Sequence, residues 1–421
     1  MNKEFFIKNR KRLAEKLEDN SIVVLFAGDA PYKSADYKYS WVQNRNFYYI
    51  TGFPREKAIF MLLKIGGKTY ESLYIERQDP VMARWVGERL SDVEAKELTG
   101  IEDVKYLDQF QDGFGRATGR LELENLYLDL ERQEYGIRKT ESQEFATEIL
   151  TRYPHLKINN VFSKIADLRL VKTEEEIELI KKAIEITKEG IYNMWSHAKP
   201  GMMEYELEAF FDYSLKKNGV KFTAFNTIVG SGHNGTVLHY EDNCCKAEDN
   251  TLVLLDLGAQ HKLYNGDISR TFPINGKFTE RQKAVYNAVL RAQKAIEAAV
   301  KPGVLWRDIN ELSKKELAKG CMELGLIKEE SELQKYYFHT FGHHLGLDTH
   351  DVGDYNIPLQ PGMILTNEPG LYIEEESIGI RIEDDLLVTE DGCINLSKDI
   401  IKEVDEIEEF MAKAKENKCH K

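Results

Sequence analysis

Four carboxylates in this chain stand where a carboxylate is costly. Asp256 interrupts the apolar run LVLLDLG, Asp267 precedes ISRTF, Glu368 lies inside ILTNEPGLYI, and Glu383 follows GIRI. Each run reads as a strand. Asp fits strands poorly, and a buried ionised acid without a partner is very unfavourable. One such acid is ordinarily balanced by a backbone amide or an arginine. Four of them ask for a common partner, because mutual repulsion would otherwise raise their pKa values. A pair of divalent cations would meet that demand.

A histidine would complete such a donor set. FHTFGHHLGLDTHD, residues 338–351, carries His339, His343, His344 and His350, with Asp348 and Asp351 beside them. Two Asp, two Glu and one imidazole give a set rich in oxygen and free of thiolate. That chemistry suits Mn²⁺, Co²⁺ or Mg²⁺ better than a structural zinc. The helical zinc-protease pattern H-E-x-x-H does not occur here. His339 and His343 are four apart, but Thr340 follows the first, and Gly342 and Gly346 disfavour a regular helix.

These residues need elements to hold them. Thr173 and Glu176 form a capping box that opens a helix with Ile177, Ile180, Ile184 and Ile191 on one stripe. It should end before Pro200-Gly201. Thr279-Glu280 opens a second such stretch, VYNAVLRAQKAIEAAV, which ends at Pro302-Gly303. EYELEAFFDYSLKKNG and WRDINELSKKELAKG follow the two breaks as further helices. Two helix–KPG–helix units about a hundred residues apart suggest an internal duplication. After each pair, residues 251–260 with 268–276, and 363–373 with 378–390, read as hairpins. Helix pairs alternating with hairpins predict an α+β domain with antiparallel sheet. The earlier part reads as mixed α/β, with strands at SIVVLFAG, KAIFMLLKI and KTYESLYIE. The Pro-bearing stretch TRYPHLKINN marks a boundary, giving expected domains 1–160 and 161–421.

Bulk properties narrow the function classes. A chain of 421 residues exceeds one ordinary core. Its net charge of −14 opposes binding to nucleic acid. The apolar run AIFMLL is far below the ~18 residues of a membrane span, and the charged start lacks a signal-peptide core. Five cysteines, Cys244, Cys245, Cys321, Cys393 and Cys419, form no C-x-x-C pair. Reduced thiols and a cytoplasmic location are therefore expected, with no membrane partner. Cys244 and Cys245 read as buried or incidental.

The motifs DLGAQHKLYNGDISRTF, FGHHLGLDTHD, NEPGLY and GIRIEDD, in that order, resemble the pita-bread metallopeptidase family. That family includes aminopeptidase P, prolidase and methionine aminopeptidase. YSWVQNRNFYYITGF and WVGER resemble the N-terminal domain of aminopeptidase P, which methionine aminopeptidases lack. The resemblance implies an α+β chain: an N-terminal mixed α/β domain followed by a creatinase/aminopeptidase-like pita-bread domain with a pseudo-twofold repeat. It implies Asp256 as a ligand of one metal, Asp267 and Glu383 as bridging ligands, and His343 and Glu368 as ligands of the second. It implies that His239 holds substrate and the developing oxyanion, that His350 lines the cleft, and that His339 and Arg381 border the substrate pocket or back the ligands. His344, Thr340 and Phe341 depart from the family pattern.

The function so implied is Xaa-Pro aminopeptidase, with Xaa-Pro dipeptidase the alternative. Two Mn²⁺ ions, or Co²⁺ or Zn²⁺, would activate a water for attack, with Glu368 moving its proton to the leaving nitrogen. Peptides with proline second would be the substrates, and a homodimer or homotetramer the expected assembly. The remaining histidines, His155, His197, His261 and His420, read as surface or loop residues, and His233 has no matched role.

Overall fold

A computed structural model describes residues 1–131 and 134–419, the side chains of residues 417–419 excepted. His420 and the Cys419 side chain thus lie outside the described residues. Two compact units divide the chain, Met1–Arg169 and Leu170–Lys421. The division falls later than the expected break after residue 160. The helix Phe162–Leu170 supplies the reason: the Leu168 carbonyl accepts from Tyr49 Oη at 2.7 Å, and Arg169 donates to Asn46 Oδ1 at 2.7 Å. Those bonds tie the end of the helix to the first unit.

The first unit is built on a six-stranded mixed sheet. Its order is Asp103–Tyr106, Lys68–Ile75, Ile59–Ile65, Ser21–Phe26, Asn125–Leu128, Lys157–Asn160. The first three pairings inward from Asp103–Tyr106 run parallel, antiparallel and antiparallel, and the last two are parallel. Ser21–Phe26 is buried throughout, as a continuous apolar run at the centre of a covered sheet should be. Lys68–Ile75 is exposed at its start and buried at its end, so its exposure divides along its length rather than between its faces. Phe26, Tyr74, Phe110 and Phe114 form the core of one face with Phe145 and Tyr153.

The second unit carries the repeated helix pairs. Glu174–His197 is followed by Glu204–Lys217, and Glu280–Ala299 by Trp306–Glu323. Glu176 folds back onto Thr173 N at 2.8 Å, closing the predicted capping box. Gly190 lets the first pair approach closely: a Cβ there would lie 2.2 Å from the Phe211 ring. Among the described residues, no helix is long and apolar enough to cross a membrane.

The strands differ from simple hairpins in an informative way. Leu252–Leu257 pairs antiparallel with Ile268–Pro273 on one side and Ile228–Ser231 on the other, and Asp256 stands opposite Ser269. A short ribbon, Gln260–His261 with Tyr264–Asn265, sits between the arms. The second expected hairpin is broken in two. Ile364–Asn367 pairs with Asp384–Val388, and Gly370–Ile373 pairs with Ile378–Arg381. The breaks fall at Glu368-Pro369 and Ile382-Glu383. Proline has no N–H for a ladder. The Glu383 N–H instead donates to Ser269 O at 3.0 Å, joining the later strands to the earlier ones.

Candidate metal centre

The two breaks are where the acids emerge. Asp267 enters the Ile268–Pro273 strand, and side chains two apart along a strand share a face. Asp267 and Ser269 therefore look the same way, toward Asp256 opposite Ser269. The histidine comes from a segment laid alongside Ile364–Asn367. Leu345 N donates to Ile364 O, Thr366 N to His343 O at 2.9 Å, and Glu368 N to Phe341 O at 2.8 Å. Gly342 permits that approach, since a Cβ there would lie 2.1 Å from Thr366 O. The ladder sets His343 beside Glu368.

One ligand-type atom each from Asp267, His343 and Glu383 lie within 4.8 Å of one another. His343 Nε2 stands 3.3 Å from Asp267 Oδ2 and 3.5 Å from Glu368 Oε1. Asp256 joins through Arg381, whose Nη2 donates to its Oδ2 at 2.7 Å. The other oxygen, Asp256 Oδ1, is buried with no hydrogen-bond partner among the described residues. Burial first, and the neighbouring carboxylates second, push Asp267 and Glu383 far above the usual carboxylate range. Glu368 is also raised by burial, with His343 and Arg381 opposing the shift. Buried acids that repel one another, an orphaned oxygen and a nearby imidazole form a donor set short of positive charge. Divalent cations fit it.

The other histidines divide by role. Nδ1 of His339 lies 2.7 Å from Thr340 O, which only accepts, so this nitrogen carries the proton. Burial lowers the ring to about 4, so it is neutral, and Nε2 accepts from Tyr372 Oη at 2.9 Å. His350 packs on His343 with ring centroids 4.3 Å apart. It keeps an exposed edge, yet desolvation of the rest, with His343 and His239 nearby, lowers it to about 4. His239 is exposed and close enough to His339 and His350 to lower both. His344 turns away. It is 1% exposed, packs against Trp306 and Tyr355, and burial lowers it to about 3. Asp351 pairs with Lys172 at 2.9 Å, both side chains buried, and anchors the segment.

Arg381 is expected either to border the substrate pocket or to back the ligands, and its surroundings favour the second. It is 3% exposed, and Nε, Nη1 and Nη2 donate to Ser269 Oγ, Tyr372 Oη and Asp256 Oδ2. That places it behind the carboxylates. Cys244 and Cys245 are exposed rather than buried, while Cys321 is buried. His197 lies on a helix and stacks on Phe210 at 4.1 Å.

Family models match at both ends of the chain: metallopeptidase family M24 over residues 178–390, and the aminopeptidase P N-terminal domain over residues 6–127. The first span contains all five residues of the donor set. The chain belongs to metallopeptidase family M24.

As an M24 member it is a metal-dependent peptidase, and relatives match it over nearly the whole of its own length. An Escherichia coli Xaa-Pro aminopeptidase is 33% identical over 99% of this chain and 99% of its own. A Bacillus anthracis structure, provisionally called an aminopeptidase P, is 55% identical with a TM-score of 0.97, covering 98% of this chain and 99% of that one. Escherichia coli aminopeptidase P solved with the inhibitor Pro-Leu is 32% identical with a TM-score of 0.91, covering 99% of each chain. The resemblance to a pita-bread metallopeptidase with an aminopeptidase P-type N-terminal domain is thereby borne out.

Three residues of this M24 site escaped the reading of the sequence. Ser269 Oγ donates to Glu383 Oε2 at 2.7 Å and accepts from Arg381. Tyr372 links His339 to Arg381. Asp385, fully buried, accepts from Asp267 N at 3.2 Å. Period-two spacing from Asp267 could have found Ser269; nothing in the pattern pointed to Tyr372.

Proposed function

We propose that this chain is a Xaa-Pro aminopeptidase, which removes the first residue from peptides with proline second. Asp256, Asp267, His343, Glu368 and Glu383 would hold two divalent ions, with Mn²⁺ favoured by the oxygen-rich, thiolate-free donors. The observation that supports this most is the approach of Asp267, His343 and Glu383 donor atoms to within 4.8 Å of one another. Full-length similarity to the Escherichia coli Xaa-Pro aminopeptidase supports the substrate class.

When bound, the ions supply Lewis-acid polarisation of the scissile carbonyl and acidify the attacking water. The side chains do the rest. Glu368 takes the water's proton on a carboxylate oxygen and passes it to the proline nitrogen as the C–N bond breaks. His239 donates an N–H to the oxyanion that forms on the carbonyl. His350 and His339 line the path of the substrate as neutral rings. Arg381 fixes Asp256 from behind. A Xaa-Pro bond offers no amide hydrogen, so a site that makes no use of that donor loses nothing when proline follows the cut. We further place the enzyme in the cytoplasm, where its free thiols stay reduced, and expect a homodimer or homotetramer measurable by light scattering.

Metal analysis and a substrate series test the reading. The loaded protein should carry two ions per chain and release the first residue from Xaa-Pro-Yaa-Yaa peptides. Cleavage of Xaa-Pro dipeptides alone would favour prolidase. A chain that takes up no divalent metal sinks the proposal.

A further inference from the structure

Glu204 is a carboxylate with 0% exposure at the start of the helix Glu204–Lys217, and it has no part in the chemistry above. A buried charge needs donors. Among the described residues its partners are hydrogen-bond donors, all from one segment. Oε1 accepts from Ser231 N at 2.8 Å, Ser231 Oγ at 2.8 Å and Asn234 Nδ2 at 3.0 Å. Oε2 accepts from Tyr240 Oη at 2.8 Å and Cys245 N at 2.8 Å. Its own N–H donates to Cys245 O at 2.9 Å. One side chain thus holds both feet of the loop 231–245.

The helix repeats the device one turn on. Glu208 accepts from Asn243 Nδ2 at 2.9 Å, and Asn243 Oδ1 accepts from Val229 N at 2.9 Å. Between the feet, Leu238 and Tyr240 pack on Ile228, Leu254 and Tyr372. His239, between those two, is exposed and lies beside His339 and His350.

We infer that Glu204 is the positioning residue for His239: its fan of accepted hydrogen bonds fixes the loop that aims this imidazole at the substrate carbonyl. The inference rests on the role proposed above for His239. Misplacing a catalytic donor by about 1 Å costs about 10²-fold. Gln at this position keeps the shape but turns an acceptor into a donor facing the Ser231 or Cys245 N–H.

A double-mutant cycle tests it, with kcat and KM measured on an Xaa-Pro-Yaa-Yaa peptide for the Mn²⁺-loaded full chain, alongside metal content. Glu204→Gln should lower kcat/KM by about 10²-fold, mostly in kcat, with two ions retained. In the His239→Ala background the same change should add nothing, because the group it aims is gone. Losses that multiply, or a Glu204→Gln chain as fast as the parent, overturn the inference. Should Glu204→Gln fail to melt cooperatively, Tyr240→Phe, which removes one donor, takes its place in the same cycle, where a non-additive loss supports the inference and a multiplicative one overturns it. A parent chain inactive on every proline-containing peptide rejects the proposed activity itself, and this inference with it. A fast parent with a multiplicative cycle rejects only the role of Glu204.

Discussion

At the scale of single residues, the site is a problem of charge with the solution distributed over neutral groups as well. Ser269 stands between Arg381 and Glu383, accepting from one and donating to the other. Ser269→Ala removes both bonds and leaves a buried guanidinium N–H without a partner. Groups that orient ligands from behind are worth about 10–100-fold in metal affinity, so calorimetric titration with Mn²⁺ should show a loss of that order. Affinity unchanged within experimental error would mean that Ser269 is a bystander. The thiols give an independent check on burial. Burial pushes the Cys321 thiol up to about 12, and burial with Glu297 nearby pushes Cys393 up to about 11. Both stay protonated at pH 8, and the thiolate is the reactive form. A thiol reagent at pH 8 should label Cys244 and Cys245 rapidly in the folded chain and Cys321 only on unfolding; rapid native labelling of Cys321 would contradict its placement. The four acids were legible in the sequence because a carboxylate in an apolar, strand-like run is individually expensive; His343 was singled out from its cluster only by the family resemblance. Ser269 and Tyr372 were not legible, because a serine or tyrosine in a strand costs almost nothing and so leaves no trace of its partners.

At the scale of elements, the same contrast recurs. Capping boxes and Pro-Gly stops gave the helices, since their chemistry is local. The later hairpin was expected with unbroken arms, and its breaks at Glu368-Pro369 and Ile382-Glu383 depend on a bond from Glu383 N to Ser269 O, more than a hundred residues away. No local pattern encodes that. The alignment of the 341–345 segment along Ile364–Asn367 is equally non-local, and Gly342 is its narrowest point. Gly342→Ala would put a methyl 2.1 Å from a backbone oxygen, so one of the two chains must move. Overpacking of this kind costs about 1–3 kcal/mol. The larger consequence is at His343, the next residue, which should lose its register with Glu368. We expect a lower melting temperature and impaired metal uptake in this variant, read by calorimetry and metal analysis. An unchanged melting curve with full metal content would show that the approach is looser than the geometry states.

For the whole molecule, the donor set joins halves that are distant in sequence. Asp256, in the strand Leu252–Leu257, and Asp267, just before Ile268–Pro273, follow the first helix pair, and Glu368 and Glu383, at the strand breaks, follow the second. Anything that binds these groups in the folded state alone stabilises that state, by about 4 kcal/mol at a thousandfold excess over Kd. Without cations, burial and mutual repulsion work against the fold at this point. Chelation should therefore destabilise the strands Leu252–Leu257, Ile364–Asn367 and Asp384–Val388 selectively. Hydrogen exchange should rise there while the six-stranded sheet of Met1–Arg169, which holds none of these acids, keeps its protection. A second variant separates charge from metal loss. Glu383→Gln removes one of the repelling charges, so after chelation it should melt above the chelated parent, although with metal present it should melt below the loaded parent and be inactive. The opposite order in the chelated state would mean that these carboxylates are comfortable without a cation, and the physical argument for a metal centre would fail with it.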